Sequence, residues 1–460
     1  MEIKSLKDLL KKQVLRLEQK ALYASAFAGS KQGRQVSVTT SEKNVHFLPP
    51  SKGVTLTAFD GHYFHEKSIN NLTEASIVTA TESLLAEIPE NSSSEIDIEP
   101  GPVIDEDFLI HMDINPSRVE LSEIIQKTGQ IKDQLMSSGS RVSYAVVRAG
   151  NEQNCELFVN RNKTLYQELN RWDLFYLTIL KEGSHTNRIF SGKALQGGFE
   201  HMQVAENDIH KMVSDGEKIL NAGRIKPGYY DCIFSPDMSG VFAHEAFGHG
   251  TETDMYLKQR AKGQEYMGKP VAAPMVNMID SPAYPGQSGS FFFDHEGQLA
   301  ADTQIIKNGI LTSGMTDLNS AVRLKYDRTP NGRRENYAHK TYARMTNTYF
   351  SAGKDTLAEM IESIESGLYI DYMTSGMEDP KGWGIQLEAL YAREIKDGKF
   401  TDNYFTPIIV TGYVPELLKS ITKIGSDIKM HGTGYCGKGW KEWVKVSTGG
   451  PHLKLKARLA

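Results

Sequence analysis

The chain has 460 residues, of which 39% are hydrophobic and 24% are charged. No stretch approaches the roughly 18 consecutive apolar residues that a membrane span needs. Its 57 acidic and 52 basic residues give a formal net charge of -5, which excludes the strongly basic surface typical of nucleic-acid binding. We therefore predict a soluble protein of two domains, with no direct contact to nucleic acid or membrane.

The amino terminus and the cysteines indicate the compartment. The segment MEIKSLKDLLKK lacks the continuous apolar core of an export signal, so we expect a cytoplasmic location. The three cysteines, Cys155, Cys232 and Cys436, are odd in number and far apart, which favours reduced thiols over a disulfide framework.

The first half of the chain alternates helical and strand patterns. Apolar residues at helical spacing predict a first helix from Leu6 to Ala21, with Ser5 as its cap. Segments rich in β-branched residues predict strands at 35–45 and 53–59. The remaining patterns predict helices at 73–88, 118–136 and 205–222, a loop at 89–107 and strands between 142 and 180.

A domain boundary is expected near Gly223, where the helical pattern ends and Lys226-Pro-Gly228 opens a strand at 229–234. This divides the chain into residues 1–223 and 224–460. The second part is dense in glycine-punctuated strands and has one polar helix at 356–367. We predict an α+β fold in which an antiparallel sheet with packed helices precedes a β-rich domain, and this second domain carries a metal-binding helix.

The metal-binding helix is predicted from Ser235-Pro-Asp, a typical helix start, and the SGVFAHEAFGHG that follows. His244 and His249 are five residues apart, so on an unbroken helix they would point about 140° apart. Gly248 can adopt non-helical dihedral angles, so the helix can end or bulge there and let the imidazoles converge. Glu245 falls between the two histidines on the inward face, where its carboxylate can reach a metal-bound water.

A catalytic zinc needs a third protein ligand. Cys436 is the strongest candidate, because the glycines of HGTGYCGKGW let its backbone approach another element closely. Glu252 and Asp254 are acidic alternatives, whereas Cys155 and Cys232 alternate with strand residues and are expected to pack in the core. On the motif alone, two hydrogen-bonded core histidines remain an alternative to a metal site.

Several motifs occur in a fixed order along the second half: FSPDMSGVFAHEAFGHGTETD, DSPAYPGQSGSFFFDHEG, NGRRENY, ARMTNTYFSAG, GTGYCGKG and GGPHLKLK. Together they resemble the TldD family of the TldD/PmbA superfamily, whose members are also called modulators of DNA gyrase. The resemblance implies a metallopeptidase in which His244, His249 and Cys436 bind Zn²⁺ beside Glu245. It also implies the catalytic type of subunit, since the sister TldE type lacks HExxxH.

The resemblance further implies a homodimer, or a heterodimer with a TldE/PmbA-like subunit, that accepts small or unfolded peptides by pairing with an exposed strand. Thr346 and Thr348 alternate on the strand predicted for that role, although a core strand is an equal alternative. Two departures from the family pattern, GWGIQ after Lys381 and Trp440 after the CGKG run, bear on substrate preference.

The expected mechanism uses Zn²⁺ to polarise a peptide carbonyl and acidify water, with Glu245 as the proton acceptor and donor. Acidic residues should orient the histidines from outside; the candidates are Glu252, Asp254, Asp294 and Glu296. His431 and Tyr435 are candidates for stabilising the oxyanion. Two alternatives stay open: a non-catalytic binding or assembly subunit, such as a gyrase modulator, with a structural metal, and a hydrolase of non-peptide amides.

Overall fold

The computed structural model describes residues 2–90, 96–438 and 442–460. It has the predicted α+β fold, with a helix-covered sheet in the first half and a β-rich second half. Within the described residues, no helix is both long and apolar enough to cross a membrane.

A large sheet organises the first half. Its strand order is β3-β2-β1-β5-β6-β4, with β7 also paired to β6; every pairing is antiparallel except that of β4 with β6. The bounds are β1 Tyr23–Thr39, β2 Lys43–Phe59, β3 Phe64–Ile69, β4 Ile104–Leu109, β5 Val142–Asn160, β6 Lys163–Glu182 and β7 His185–Gln196.

Helices cover one face of this sheet through apolar residues that recur at helical spacing. The opposite face packs on the second half of the chain, where the Phe27 ring lies 4.7 Å from that of His295. Each face of the sheet is therefore covered in part, while residues 43–52 of β2 are mostly exposed. The helices are α1 Lys7–Leu17, α2 Glu74–Glu87, α3 Leu121–Ser137 and α4 Glu206–Lys218.

The second half consists mainly of short strands with brief helices between them. The helices are α5 Pro236–Ala243, α6 Asp254–Leu257, α7 Leu318–Leu324, α8 Leu357–Glu362 and α9 Val414–Lys419. The strands are β8 Gly228–Phe234, β9 Met278–Asp280, β10 Thr303–Lys307, β11 Ile310–Leu311, β12 Gly332–Arg333, β13 Tyr342–Ala343, β14 Asn347–Phe350, β15 Ser366–Glu378, β16 Gly384–Lys396, β17 Lys399–Phe405, β18 Ile408–Tyr413, β19 Lys423–Ile424, β20 Lys429–His431, β21 Tyr435–Lys438, β22 Glu442–Lys445, β23 Ser447–Gly450 and β24 Leu453–Leu459.

Two sheets hold α5 between them. One has the order β15-β8-β24-β18-β16-β17, and the other has the order β11-β10-β9-β14-β23-β20. Helix α5 contacts β15 of the first sheet and β14, β20 and β23 of the second. A Cβ on Gly240 would stand 2.7 Å from the backbone nitrogen of Gly449, so glycine is what allows this close approach. The packing fixes the helix that leads into the histidine motif.

The described structure corrects several element boundaries. The first helix ends at Leu17 rather than Ala21, and a turn at 40–42 interrupts the strand expected to run from 35 to 45. Strand β4 occupies part of the loop expected at 89–107, of which residues 91–95 lie outside the described residues. The helix expected at 356–367 ends at Glu362, because Ser366 begins β15, which pairs with β8.

Candidate metal centre

The HExxxH segment leaves α-helical geometry at its first histidine. Helix α5 continues as a π turn from His244 to Gly248, and a 3₁₀ turn follows from His249 to Thr251. A π turn bonds residues five apart, so it brings side chains with that spacing toward each other. The two imidazole centroids lie 5.1 Å apart with the rings nearly perpendicular. The predicted bulge is therefore confirmed.

The reason for glycine at position 248 differs from the prediction. Its dihedral angles, φ -64° and ψ -69°, lie in the right-handed helical region that any residue can adopt. A Cβ at this position would instead stand 2.1 Å from Sδ of the buried Met345. The constraint is therefore the space between the π turn and Met345, not backbone freedom.

Replacing Gly248 by alanine should lower the free energy of unfolding by about 1–3 kcal/mol, because the added methyl group displaces Met345 in a packed core. Gly129→Ala in α3 is the matched control, since no described atom lies within 4 Å of its added Cβ. That control should gain about 0.5–1 kcal/mol. Urea unfolding of both variants tests the pair, and equal effects at the two positions would contradict it.

Cys436 completes a group of three ligand atoms. It lies on β21, and its Sγ is 3.6 Å from Nε2 of His249. The ligand atoms of His244, His249 and Cys436 all lie within 4.8 Å of one another. Tetrahedral zinc places sulfur and nitrogen ligands about 3.6 Å apart, so the observed separation fits that ion. Nδ1 of His244 is buried without a hydrogen-bond partner among the described residues, as an uncoordinated ligand atom would be.

The charges of this group favour metal binding. Burial acts to raise the pKa of the Cys436 thiol, but the charge of His249 and hydrogen bonds with both histidines hold that pKa well below its ordinary value. Burial acts to lower the pKa of His249, yet Cys436 and Glu252 raise it well above its ordinary value. The lowered pKa favours the thiolate, which is the form that coordinates metal.

Glu252 lies outside the three ligand atoms and contacts one of them. Its Oε2 accepts a hydrogen bond from Nδ1 of His249 at 3.1 Å, which leaves Nε2 directed at Cys436. Asp254 instead contacts Lys258 at 3.1 Å and also Lys438. Neither acid belongs to the group of ligand atoms within 4.8 Å, so the structure favours Cys436 as the third donor.

Asp294 and Glu296 form a separate acidic cluster. Asp294 accepts hydrogen bonds from the backbone N–H groups of Glu296, Gln298 and Gly332. Glu296 accepts from the backbone of Leu318; burial, followed by repulsion from Asp317 and Asp294, raises its pKa to about 8. These contacts stabilise loops, and the prediction that Asp294 or Glu296 orients the histidines is wrong.

Glu245 faces a cavity of about 840 Å³ that lies between the two halves of the chain. The cavity is also lined by His244, His431 and Tyr435. Nε2 of His431 has no hydrogen-bond partner among the described residues, while its Nδ1 lies 3.7 Å from Oδ1 of Asp237. The cavity thus brings a metal-ligand candidate, a carboxylate and the His431 side chain to one surface.

The prediction that Thr346 and Thr348 bind peptide is wrong. Both residues are fully buried, and each hydroxyl donates a hydrogen bond of 2.7 Å to Asp280. Strand β14 has β9 on one side and β23 on the other, so it offers no free edge to a peptide. The alternative of a core strand is confirmed.

The departure from the family pattern at GWGIQ provides a tryptophan that packs against the π turn of the metal centre. Trp383 is fully buried, and its ring lies 5.2 Å from that of Phe247 in the π turn. This tryptophan packs in the core rather than in the cavity wall. Trp440 lies outside the described residues.

Three further ionisable residues near the centre could not be picked out by motif. Arg344 donates a hydrogen bond to the carbonyl oxygen of Cys436, and Lys438 lies 3.0 Å from Glu252. Burial raises the pKa of Glu378 well above its ordinary value; this carboxylate packs on Gly250, next to His249. Of the three, only Lys438 could have been found from the sequence. It follows Cys436 by two positions, and alternate residues of a strand share a face.

The chain is similar to proteins described as metallopeptidases or metalloproteases. A family model described as the PmbA/TldA metallopeptidase C-terminal domain matches residues 227–458. A metalloprotease of Methanothermobacter thermautotrophicus is 30% identical over 309 residues, which are 66% of this chain and 66% of that protein. A zinc metalloprotease TldD homologue of Saccharolobus solfataricus is 29% identical over 315 residues, 65% of this chain and 67% of that protein.

Two solved structures share the fold. A candidate modulator of a DNA gyrase from Thermotoga maritima matches with a TM-score of 0.78 and 14% identity over 100% of both chains. TldE from Thermococcus kodakarensis matches with a TM-score of 0.75 and 15% identity, over 98% of this chain and 100% of that one. At these identities the two structures bear on the fold alone. From the family model and the sequence relatives, the chain belongs to the TldD/PmbA metallopeptidase family.

Proposed function

We propose that this chain is a zinc-dependent peptidase of the TldD type, in which His244, His249 and Cys436 bind the metal and Glu245 is the general base. The observation that carries the proposal is the convergence of two imidazoles and one thiol within 4.8 Å, beside a carboxylate that lines a large cavity. Two nitrogens and one sulfur form a donor set that suits zinc.

A zinc ion bound there would supply a Lewis acid that polarises the scissile carbonyl and lowers the pKa of water. Glu245 accepts the proton of the attacking water and delivers it to the leaving amine. The carboxylate can do so because it lies outside the group of ligand atoms and faces the cavity. Glu252 keeps Nε2 of His249 directed toward Cys436 by accepting a hydrogen bond from Nδ1.

A free strand edge beside Glu245 is where a peptide would bind. Beyond Ile370, β15 pairs with β16 on one side, and no described strand pairs with its other side, where the N–H of Met373 donates a hydrogen bond to Asp237. Six consecutive residues of β15, at positions 371–376, line the cavity, as expected when the edge of a strand faces it. A Cβ on Gly376 would stand 2.7 Å from Cγ of Glu245, so this edge passes directly beside the carboxylate.

Pairing with this edge would hold an extended peptide by main-chain hydrogen bonds, which place little demand on its sequence. Small or unfolded peptides are therefore the proposed substrates. A folded protein would have to release a strand before it could pair in this way.

The number of donors favours catalysis over a structural metal. A structural zinc is closed by four protein ligands, whereas the described residues bring three together here. The open position would serve water and substrate. A structural site also has no need for a carboxylate such as Glu245 beside it.

Incubation of the purified protein with a mixture of unstructured peptides tests this function. We expect new amino termini to appear by mass spectrometry, to be absent after treatment with a chelator, and to return when zinc is added back. Amide-containing metabolites supplied in parallel test the non-peptide alternative. Peptides left intact by the zinc-loaded protein would exclude the proposal.

The partner and the domain division are part of the same proposal. A second copy, or a TldE/PmbA-like chain, would close the cavity in a dimer. The division into residues 1–223 and 224–460 also stays a proposal. Strong contacts cross that boundary, since the guanidinium of Arg171 donates hydrogen bonds to the carbonyl oxygens of Ser288 and Ser290.

A further inference from the structure

A lysine whose side chain is only 11% exposed joins the two segments that supply His249 and Cys436. These ligands are 187 positions apart in the chain, so the geometry of the centre depends on contacts between the segments. Lys438 makes such contacts: its Nζ lies 3.0 Å from Oε2 of Glu252 and donates to Asp254 and to the carbonyl oxygen of Ala343. The three N–H donors of the ammonium group therefore have three acceptors.

The contacts of Lys438 lead directly to His249. Lys438 and Cys436 lie on the same face of β21, because alternate residues of a strand point the same way. Oε2 of Glu252 lies 3.0 Å from Nζ of Lys438 and accepts from Nδ1 of His249 at 3.1 Å. Glu252 thus connects the cysteine strand to the histidine turn at one oxygen atom.

A second cation, which is buried, supports the same carboxylate. Arg344 donates hydrogen bonds to the carbonyl oxygens of Cys436 on β21 and of Glu442 on β22. Its Nε lies 3.9 Å from Oε1 of Glu252, and neither atom has a hydrogen-bond partner among the described residues. Glu252 is only 1% exposed, so these two cations offset part of the cost of burying its charge.

We infer that Lys438 is a positioning residue that acts through Glu252 to hold Nε2 of His249 toward the sulfur of Cys436, and so sets the metal affinity of the centre. Without the ammonium group, Glu252 loses a charged partner and its hold on Nδ1 of His249 weakens. Partners that orient a metal-binding histidine typically change metal affinity 10–100-fold. This inference rests on the proposed metal centre.

Zinc affinity measured by competition with a chromophoric chelator tests the role of Lys438. Lys438→Met should bind zinc about 10–100-fold more weakly than the parent protein. Lys163→Met is the matched control, since Lys163 is buried and its Nζ donates to the carbonyl oxygen of Gly297 at 2.8 Å, in a different part of the molecule. The control should keep the zinc affinity of the parent protein. Lys438→Gln carries the same expectation if the methionine variant does not fold.

A double-mutant cycle with Glu252→Gln separates positioning from a general loss of stability. If Lys438 acts through Glu252, the double variant should bind zinc about as weakly as Glu252→Gln alone. The absorption bands of the Co²⁺-substituted protein should change in both single variants and stay unchanged in Lys163→Met. Additive losses of affinity, or parental affinity in Lys438→Met, would overturn the inference.

The same titration in His244→Ala and Cys436→Ser distinguishes this inference from the proposed function. If those variants keep full zinc affinity, the metal centre itself is refuted. If they lose zinc while Lys438→Met binds it normally, only the positioning role fails.

Discussion

Glu245→Gln is expected to reduce kcat for peptide hydrolysis by about 10²–10⁴-fold, the usual contribution of a general base. Glutamine keeps the size of the side chain but cannot accept a proton from water. The zinc content should stay at the parental level, because Glu245 lies outside the group of ligand atoms. This combination of lost turnover and retained metal is specific to a catalytic base.

The measurement pairs initial rates on one cleaved peptide with elemental analysis of the same protein sample. Glu265→Gln, which changes an exposed acid outside the cavity, is the control and should keep parental rates. Glu245→Gln with undiminished turnover would exclude the proposed mechanism. A variant that loses zinc together with activity would instead assign Glu245 to the ligand set.

The bend of the helix at the histidine motif could be predicted from the sequence because the motif is local. The five-residue spacing of His244 and His249 cannot be used on an unbroken α-helix, so the motif itself predicts a bulge, and the π turn is that bulge. The glycine of the motif was also identified, but for the wrong reason. Its close contact with Met345 is a tertiary contact, which the local sequence pattern does not specify.

The errors share one physical cause, which is that local patterns do not specify neighbours. Alternation at Thr346 and Thr348 predicts a strand correctly, but whether a strand is central or at an edge depends on β9 and β23. A helix begins after Thr356 as predicted, with a capping box at its start. The residues that would have extended this helix belong instead to β15, which pairs with β8. Arg344 reaches Cys436 across 92 positions of the chain.

Cys436→Ser should abolish stoichiometric zinc binding. A serine hydroxyl keeps its proton at neutral pH, so the variant loses the anionic sulfur that zinc prefers. The chain offers matched controls in Cys155 and Cys232, which the structure places away from the histidines, on β5 and β8. Cys155→Ser and Cys232→Ser should therefore retain one zinc per chain by elemental analysis after dialysis.

Thermal unfolding is a second test of zinc binding by Cys436→Ser. Zinc at 100 times its dissociation constant stabilises a protein by about 2.7 kcal/mol, so the Tm of the parent protein should rise when zinc is added to the metal-free form. Cys436→Ser should show little or no rise, while the serine variants of Cys155 and Cys232 should shift as the parent does. If the Tm of Cys436→Ser rose with zinc as much as that of the parent protein, another side chain would be the third ligand. Glu252, which is hydrogen-bonded to His249, would then be the first residue to test by substitution.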